Sequence, residues 1–325
     1  MQLVYLLFLF IVSYVVTHFC FVIIIPRLKK AGIVGKNMNS EFREEIAEMG
    51  GLVIAIGFGA GIILAIALRT FCNVFPMADL NSVLAALATI LIVTLIGIFD
   101  DLISIKQSFK AFLPVFAALP LMAIKEGTFL MKVPLGGIIN FGIYYSLILI
   151  PAGITGAANA MNMLAGFNGL EVGMGLVAVG ILAIIAYMLG ELTAFIILIV
   201  TFGALLATLF YNWYPAKILI GDVGTMSIGA IVASAAIIGN FEMAGIIIII
   251  PYAVDFLIKA KNRFPSQDWW GIYHSGKLYC PENGPVGLCQ LIMKWTGGIS
   301  ERNLVLILMG IELIFGGIAL LVYIY

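Results

Sequence analysis

Val83-Leu-Ala-Ala-Leu-Ala-Thr-Ile-Leu-Ile-Val-Thr-Leu-Ile-Gly-Ile-Phe99 runs without a charge and stops abruptly at Asp100-Asp101. A run of this length and polarity suits an α-helix crossing a bilayer, where every backbone group must be satisfied within the segment. The rest of the chain has the same character. Of its 325 residues 63% are hydrophobic and 10% charged, against about 25% charged in soluble domains. The apolar runs are rich in Ile, Leu, Ala and Gly and lack strand alternation, so the sequence predicts an all-α integral membrane protein rather than a barrel.

About ten spans are expected: Leu3 to Ile25, Gly51 to Leu68, Val83 to Phe99, Phe109 to Ile124, Phe141 to Ala158, Val172 to Leu189, Thr193 to Phe210, Val223 to Ile238, Met243 to Leu257 and Leu304 to Tyr323. The fourth, eighth and ninth are short, and Pro114, Pro120 and Pro251 are expected to kink the fourth and ninth. No positive charge precedes the first run, whereas Arg27, Lys29 and Lys30 follow it, so it reads as a retained span with the N-terminus outside. On this scheme 14 of the 17 basic residues fall in odd-numbered loops, leaving Arg69, Lys125 and Lys132 on the other side. The odd loops are therefore expected in the cytosol. The net charge of zero gives no reason to expect a nucleic-acid partner.

Every unusual polar motif then falls on that one face. Loop one has Glu48-Met-Gly-Gly51, loop three opens with Asp100-Asp101, and loop five carries Asn159-Ala-Met-Asn-Met-Leu-Ala-Gly-Phe-Asn-Gly-Leu-Glu171. Loop seven holds Asn212-Trp-Tyr-Pro-Ala-Lys217 and Gly221-Asp222, and loop nine Lys261-Asn262-Arg263. Structural readings stand beside this. Asp100-Asp101 could be a solvated helix end, Gly221-Asp222 an N-cap, and Lys261 and Arg263 headgroup anchors. The asparagine cluster is harder to explain that way, since no single cap uses three carboxamides and each is costly in lipid without partners. Cys280, Cys289 and His274 fit no zinc spacing, and His18 reads as a packed histidine.

Asp222 and Asn162 are hard oxygen donors, and one or two protein ligands completed by water and phosphate is the usual way of holding Mg2+. Lys110, Lys261 and Arg263 offer positive charge to phosphate. An oxygen-ligated metal beside cations at a membrane edge indicates phosphoryl transfer to or from a lipid.

At these residues the sequence resembles the polyprenyl-phosphate N-acetylhexosamine-1-phosphate transferases, glycosyltransferase family 4, and most closely their dolichyl-phosphate N-acetylglucosaminephosphotransferase branch in eukaryotes and archaea. The asparagine stretch, Asn212-Trp-Tyr-Pro215 and Glu301-Arg-Asn-Leu304 resemble that branch's own signatures. The resemblance implies a single multipass domain over residues 1–325, with ten membrane helices and a site on the cytosolic face. It also implies a reaction dependent on Mg2+, or on Mn2+ in its place. A UDP-linked amino sugar gives its sugar 1-phosphate to dolichyl or polyprenyl phosphate, and UMP leaves. That would be the first membrane step of lipid-linked glycan assembly, for protein N-glycosylation. By the same resemblance Asn162 and Asp222 hold the metal, and Asp100, Asp101, Lys110 and Asp222 are the catalytic set. Glu48, Gly51, Leu52, Asn159, Asn168, Lys261, Asn262 and Arg263 bind substrate, within which Asn168 and the Gly51-Leu52 backbone resemble the uridine contacts. The cytosolic loop 259–302 meets sugar and pyrophosphate. The membrane is the plasma membrane in a prokaryote and the endoplasmic reticulum in a eukaryote, and a homodimer is compatible with the family. Four positions depart from the pattern. Leu219 stands where relatives place a Phe against uracil, Gln107 and Ser104 where eukaryotic relatives have Trp and Asn, and Asn262 where they have His. Loop nine also lacks the His-rich motif of enzymes that use muramyl peptides.

A phosphate monoester has a second pKa near ~6, so a lipid phosphate needs no base to attack. Direct in-line displacement of UMP is expected, with Asp100 or Asp101 tuning the metal or Lys110 or one of them acting as a base; a covalent aspartyl phosphate is the alternative. Pro-bent spans four and nine are expected to wall a lipid-open groove. Trp269, Trp270, Tyr273, Tyr279 and Trp295 are expected at headgroup level, with a surface helix over Val286 to Trp295. The rival classes are a transporter of an anionic metabolite, a family transferase using another UDP-sugar, and a CDP-alcohol phosphotransferase. The last would require a D-x2-D-G-x2-A-R pattern that this chain lacks.

Overall fold

The computed structural model describes residues 2–41, 43–133, 137–264 and 269–324. Among the described residues, eight helices are long and apolar enough to cross a membrane. They are α1 (Gln2–Lys30), α2 (Gly51–Cys72), α3 (Leu80–Ile103), α8 (Leu170–Leu189), α9 (Leu192–Asn212), α10 (Gly221–Ile238), α11 (Glu242–Lys261) and α13 (Glu301–Ile324). Two expected spans are built differently. The fourth is broken into α4 (Gln107–Phe112), α5 (Pro114–Ala117) and α6 (Leu119–Ala123). Pro114 and Pro120 each sit in the first turn of a new piece, because a proline has no N–H to continue the preceding helix. The fifth opens with a π-turn over Tyr145–Leu149 that runs into α7 (Ile150–Met163).

Among the described residues, three short antiparallel hairpins punctuate the loops of this mostly helical chain. They pair β1 (Val34–Lys36) with β2 (Glu45–Ala47), β3 (Leu130–Val133) with β4 (Gly137–Asn140), and β5 (Ile272–His274) with β6 (Lys277–Tyr279). The expected surface helix is α12 (Leu288–Thr296), which turns Leu288, Ile292 and Met293 inward and leaves Trp295 75% exposed.

The axis of the bundle is α10, in which every residue from Val223 to Ile238 is buried. Its Gly, Ala and Ser content lets neighbouring backbones come close, the usual means of packing helices where lipid gives no hydrophobic drive. A Cβ at Gly97 of α3 would stand 2.4 Å from Val223 Cα, and one at Gly51 of α2 would stand 2.1 Å from the Gly224 nitrogen. Hydroxyls lock the contacts: Thr94 and Ser227 meet at 2.9 Å between α3 and α10, and Ser13 of α1 donates to the Val200 carbonyl of α9 at 2.8 Å. His18 packs against Tyr211, whose hydroxyl lies 3.2 Å from Nδ1, as expected of a packed histidine. The outward faces of α1 and α13, with Leu3 70% and Ile314 64% exposed, are apolar as a lipid-facing surface requires. All four cysteines are free.

Candidate active site

The helix ends bordering the odd-numbered loops converge on one cavity of about 1090 Å3. Its floor is set by the way α10 begins. Gly221 has φ +67, and a Cβ there would lie 2.4 Å from Asp101 Oδ2, so glycine is required on both counts. Asp101, at the end of α3, accepts from the backbone nitrogens of Asp222 (2.8 Å) and Val223 (3.2 Å). A carboxylate from another helix thus caps α10 and complements its dipole. This corrects the reading of Gly221-Asp222 as a self-made N-cap, because Asp222 supplies the capped N–H. Neither Asp101 nor Asp100 is among the residues that line the cavity.

Loop seven is stitched to loop one around the same point. Leu219 N donates to the Ala47 carbonyl (2.8 Å), Gly50 N to Leu219 O and Gly51 N to Ile220 O (both 2.9 Å), while Asn212 Nδ2 holds the Ile218 carbonyl at 2.9 Å. The N–H groups expected to read uridine are therefore occupied: Gly51 donates to Ile220 and Leu52 to the Met49 carbonyl at 3.1 Å. Neither residue lines the cavity, whereas Glu48 and Leu219 do. The Glu48 carboxyl lies against Gly35, and burial first, then the nearby Asp101 charge, pushes its pKa up.

Lys110 is the electrostatic centre. Its ammonium meets Asp100 Oδ2 at 2.6 Å and Asp222 Oδ2, with only 7% of its side chain exposed. Asp100 is oriented by accepting from Ile105 N at 2.8 Å. Asn162 completes the group. With its oxygen toward Lys110 (2.9 Å), its nitrogen donates to Asp222 Oδ1 and to Thr225 Oγ1, each at 2.7 Å. With the amide turned over, two oxygens, Asn162 Oδ1 and Asp222 Oδ1, face each other at that separation, a pairing that an ionised Asp222 makes favourably around a shared cation. The donor set thus fits a divalent ion, the amide's orientation following the occupant. Among the described residues there is no cluster of three or more acidic, histidine or cysteine ligands, so water and substrate oxygens would complete the coordination.

Asn159 binds α4 to α7: its Nδ2 donates to the Ala111 carbonyl (3.0 Å) and to Thr155 O (2.9 Å), one residue beyond Lys110. Asn168 is 2% exposed and held by Glu301. The basic run of loop nine departs from expectation. Lys261, Asn262 and Arg263 are exposed and outside the cavity lining, while Lys259 and Phe264 line it on either side. Lys259 pairs with Asp255 at 2.8 Å and donates to the Met163 carbonyl, and Asp255 caps α12 through Leu288 N at 2.7 Å. The Asp255/Lys259 spacing of four was the signal for this missed cation. Trp269 and Trp270 stand in the cavity wall, Trp269 packed near Gly166. Residues 265–268 of that loop lie outside the described residues.

Residues 83–240, which carry Asp100, Lys110, Asn162 and Asp222, match the family model described as glycosyl transferase family 4. A protein of Saccharolobus solfataricus, provisionally named UDP-N-acetylglucosamine–dolichyl-phosphate N-acetylglucosaminephosphotransferase, is 37% identical over 99% of this chain and 98% of its own. The chain belongs to glycosyl transferase family 4. Within that family it is also similar to the Dictyostelium discoideum UDP-N-acetylglucosamine–dolichyl-phosphate N-acetylglucosaminephosphotransferase, at 29% identity over 89% of this chain and 80% of the relative. It is likewise similar to a Streptococcus thermophilus phospho-N-acetylmuramoyl-pentapeptide-transferase, at 29% over 70% of each. For a family 4 member, the cluster around Lys110 lies inside the matched segment, while Glu48, Lys259 and Glu301 come from outside it.

Proposed function

We propose that this protein transfers N-acetylglucosamine 1-phosphate from UDP-N-acetylglucosamine to dolichyl or another polyprenyl phosphate, releasing UMP, as the first membrane step of lipid-linked glycan assembly for protein N-glycosylation. The observation that carries the reading is the Lys110–Asp222–Asn162 cluster in the wall of a cavity large enough for a nucleotide sugar and a phosphate headgroup, with Asp100 paired to Lys110 behind that wall, within a family 4 chain. The relatives' names supply the sugar and the lipid. We further propose ten crossings, an outside N-terminus and a cytosolic site, supported by the basic residues of the odd loops and by the convergence of those loops on one cavity.

Asp222 and Asn162 would hold Mg2+, or Mn2+ in its place, which when bound neutralises charge on the diphosphate. Lys110, seated between two carboxylates, keeps its charge and turns toward entering phosphate oxygens once Asp222 is engaged. Asp100 steers that ammonium, and Asp101 fixes the backbone from which Asp222 projects. The lipid phosphate attacks the sugar-bearing phosphorus in line, its own dianion serving as nucleophile, so positioning and charge neutralisation carry the catalysis. Ile249, Ala253 and Phe256 of Pro-containing α11, facing Gly156, Ala160 and Met163 of α7, give the cavity an apolar flank for the first isoprene units. The exposed Lys261-Asn262-Arg263 run remains available to a bound sugar or diphosphate at the cavity rim.

Purified protein incubated with UDP-N-acetylglucosamine and a polyprenyl phosphate should release UMP with Mg2+ and not with a chelator, and Asp222→Ala should abolish release while staying folded. Normal turnover by that variant, or no UMP from any UDP-sugar and polyprenyl phosphate pair, would defeat the proposal.

A further inference from the structure

One wall of the cavity is the turn Gly166-Phe167-Asn168-Gly169, whose two glycines have φ +109 and +83. Its asparagine is gripped at both ends of one carboxylate. The Asn168 backbone nitrogen donates to Glu301 Oε1 at 2.7 Å, and Asn168 Nδ2 donates to Oε2 at 3.2 Å. Asn39 Nδ2 adds a third bond to Oε1 (3.2 Å) and ties the same turn through the Gly166 carbonyl (2.8 Å). Glu301, the first residue of α13, is 5% exposed, so the grip is nearly dry. A carboxamide has one end that donates and one that accepts, and an ionised carboxylate only accepts. Against the ionised Glu301, turning the Asn168 amide over would therefore set two oxygens against each other in a buried place. The end left toward the cavity is Oδ1, which bonds to no other described residue.

We propose that Glu301 is a positioning residue that fixes the Asn168 carboxamide with its oxygen toward the cavity, so that the site selects a substrate presenting an N–H donor at that point. This rests on the function proposed above, whose donor substrate carries two such groups, the N3–H of uracil and the acetamido N–H of the sugar. Either is a secondary N–H that Oδ1 accepts. Cytosine offers a lone pair at N3 instead, and an ester in place of the acetamide offers no hydrogen at all. Each would leave the fixed oxygen facing an acceptor.

The test compares binding of UMP with CMP, and of UDP-N-acetylglucosamine with the analogue whose acetamido nitrogen is replaced by oxygen. It uses the full-length protein in detergent as wild type, Glu301→Gln and Asn168→Ala. In the wild type, one of the two pairs should differ by about 10-fold or more, the cost of an unmet hydrogen bond at a buried acceptor. A UMP/CMP gap assigns the contact to the base, and an amide/ester gap assigns it to the sugar. In Glu301→Gln the glutamine amide offers a donor as well as an acceptor, Asn168 is free to turn over, and that gap should shrink at least threefold. Asn168→Ala should shrink it too, and it decides the matter if Glu301→Gln does not fold. Wild-type affinities alike within each pair, or a gap that survives in the folded variants, would overturn the proposal. UMP release by the same wild-type preparation is scored separately: its absence defeats the functional reading, and its presence without either gap defeats this inference alone.

Discussion

Asp101 and Gly221 should behave as one device rather than as two residues. Asp101→Ala removes the cap from α10 with its two backbone hydrogen bonds at 2.8 and 3.2 Å, which should cost about 1–2 kcal/mol as cap and charge–dipole terms combined. Gly221→Ala forces an L residue into φ +67, about 1–2 kcal/mol by itself. Its Cβ would also stand 2.4 Å from Asp101 Oδ2, so the carboxylate must leave and its ~1–2 kcal/mol is lost as well. The single Gly221→Ala change should then cost about 2–4 kcal/mol. With Asp101 already alanine only the backbone cost remains, so the double variant should be about as stable as Gly221→Ala alone. The cycle closes with a coupling of about 1–2 kcal/mol. Unfolding of the four proteins would be followed in mild detergent at fixed Mg2+, with UMP release measured alongside. Release should fall by about 10- to 100-fold in both single variants, because Asp222 is the residue whose N–H is capped and small misplacements at reacting groups are expensive. Strict additivity of the two stability losses, within about 0.5 kcal/mol, would refute the idea that Gly221 is glycine on Asp101's account.

Two further outcomes are expected. Lys110→Met leaves the Asp100 and Asp222 carboxylates facing each other where Lys110 had bridged them; it should cost about 3–5 kcal/mol of stability, with added Mg2+ recovering part of the loss and UMP release near background, whereas full activity would remove Lys110 from the mechanism. Cys72 is exposed at the C-terminal end of α2, opposite the end that follows Glu48, and Cys289 is buried within α12; a membrane-impermeant maleimide applied to sealed cells should label Cys72 and not Cys289, and labelling of Cys72 only after permeabilisation would invert the topology.

Much of the site was legible because its chemistry interrupts an apolar background. Asp100-Asp101, Lys110, Asn162 and Asp222 stand out from the hydrocarbon around them, and the structure brings them together. The spans were legible for the same reason, though Pro114 and Pro120 fragment the fourth more completely than a kink. What could not be read was division of labour. Asp100 and Asp101 are neighbours in sequence, yet on a helix adjacent side chains diverge by about 100°. One reaches Lys110 and the other reaches the start of α10, 121 residues away. Likewise the Gly51-Leu52 backbone looks available until loop seven is seen to use Gly51's N–H. Lys261 and Arg263 drew attention as charges, but Lys259, two residues before Lys261 on α11, is the lysine of that stretch that lines the cavity. In each case the deciding contact is long-range and leaves no periodicity in the sequence.

The arrangement also accounts for why polar groups this concentrated are tolerated at the edge of a membrane bundle. Removing any one of them strands a partner. Lys110 is neutralised by Asp100 and Asp222, Asp101 by two N–H groups at a helix start, Glu301 by three N–H groups from Asn39 and Asn168, and Asp255 by Lys259 and the start of α12. Each carboxylate is tied to an element other than its own or to a helix terminus, so each both satisfies its charge and fixes the relative position of two segments. A site that works by positioning phosphates rather than by general-base chemistry needs such rigidity. Among the described residues, the cavity's groups left for a substrate include the Asn168 oxygen, the Glu48 carboxyl, and the Asp222–Asn162 pair once a cation rather than Lys110 takes their oxygens.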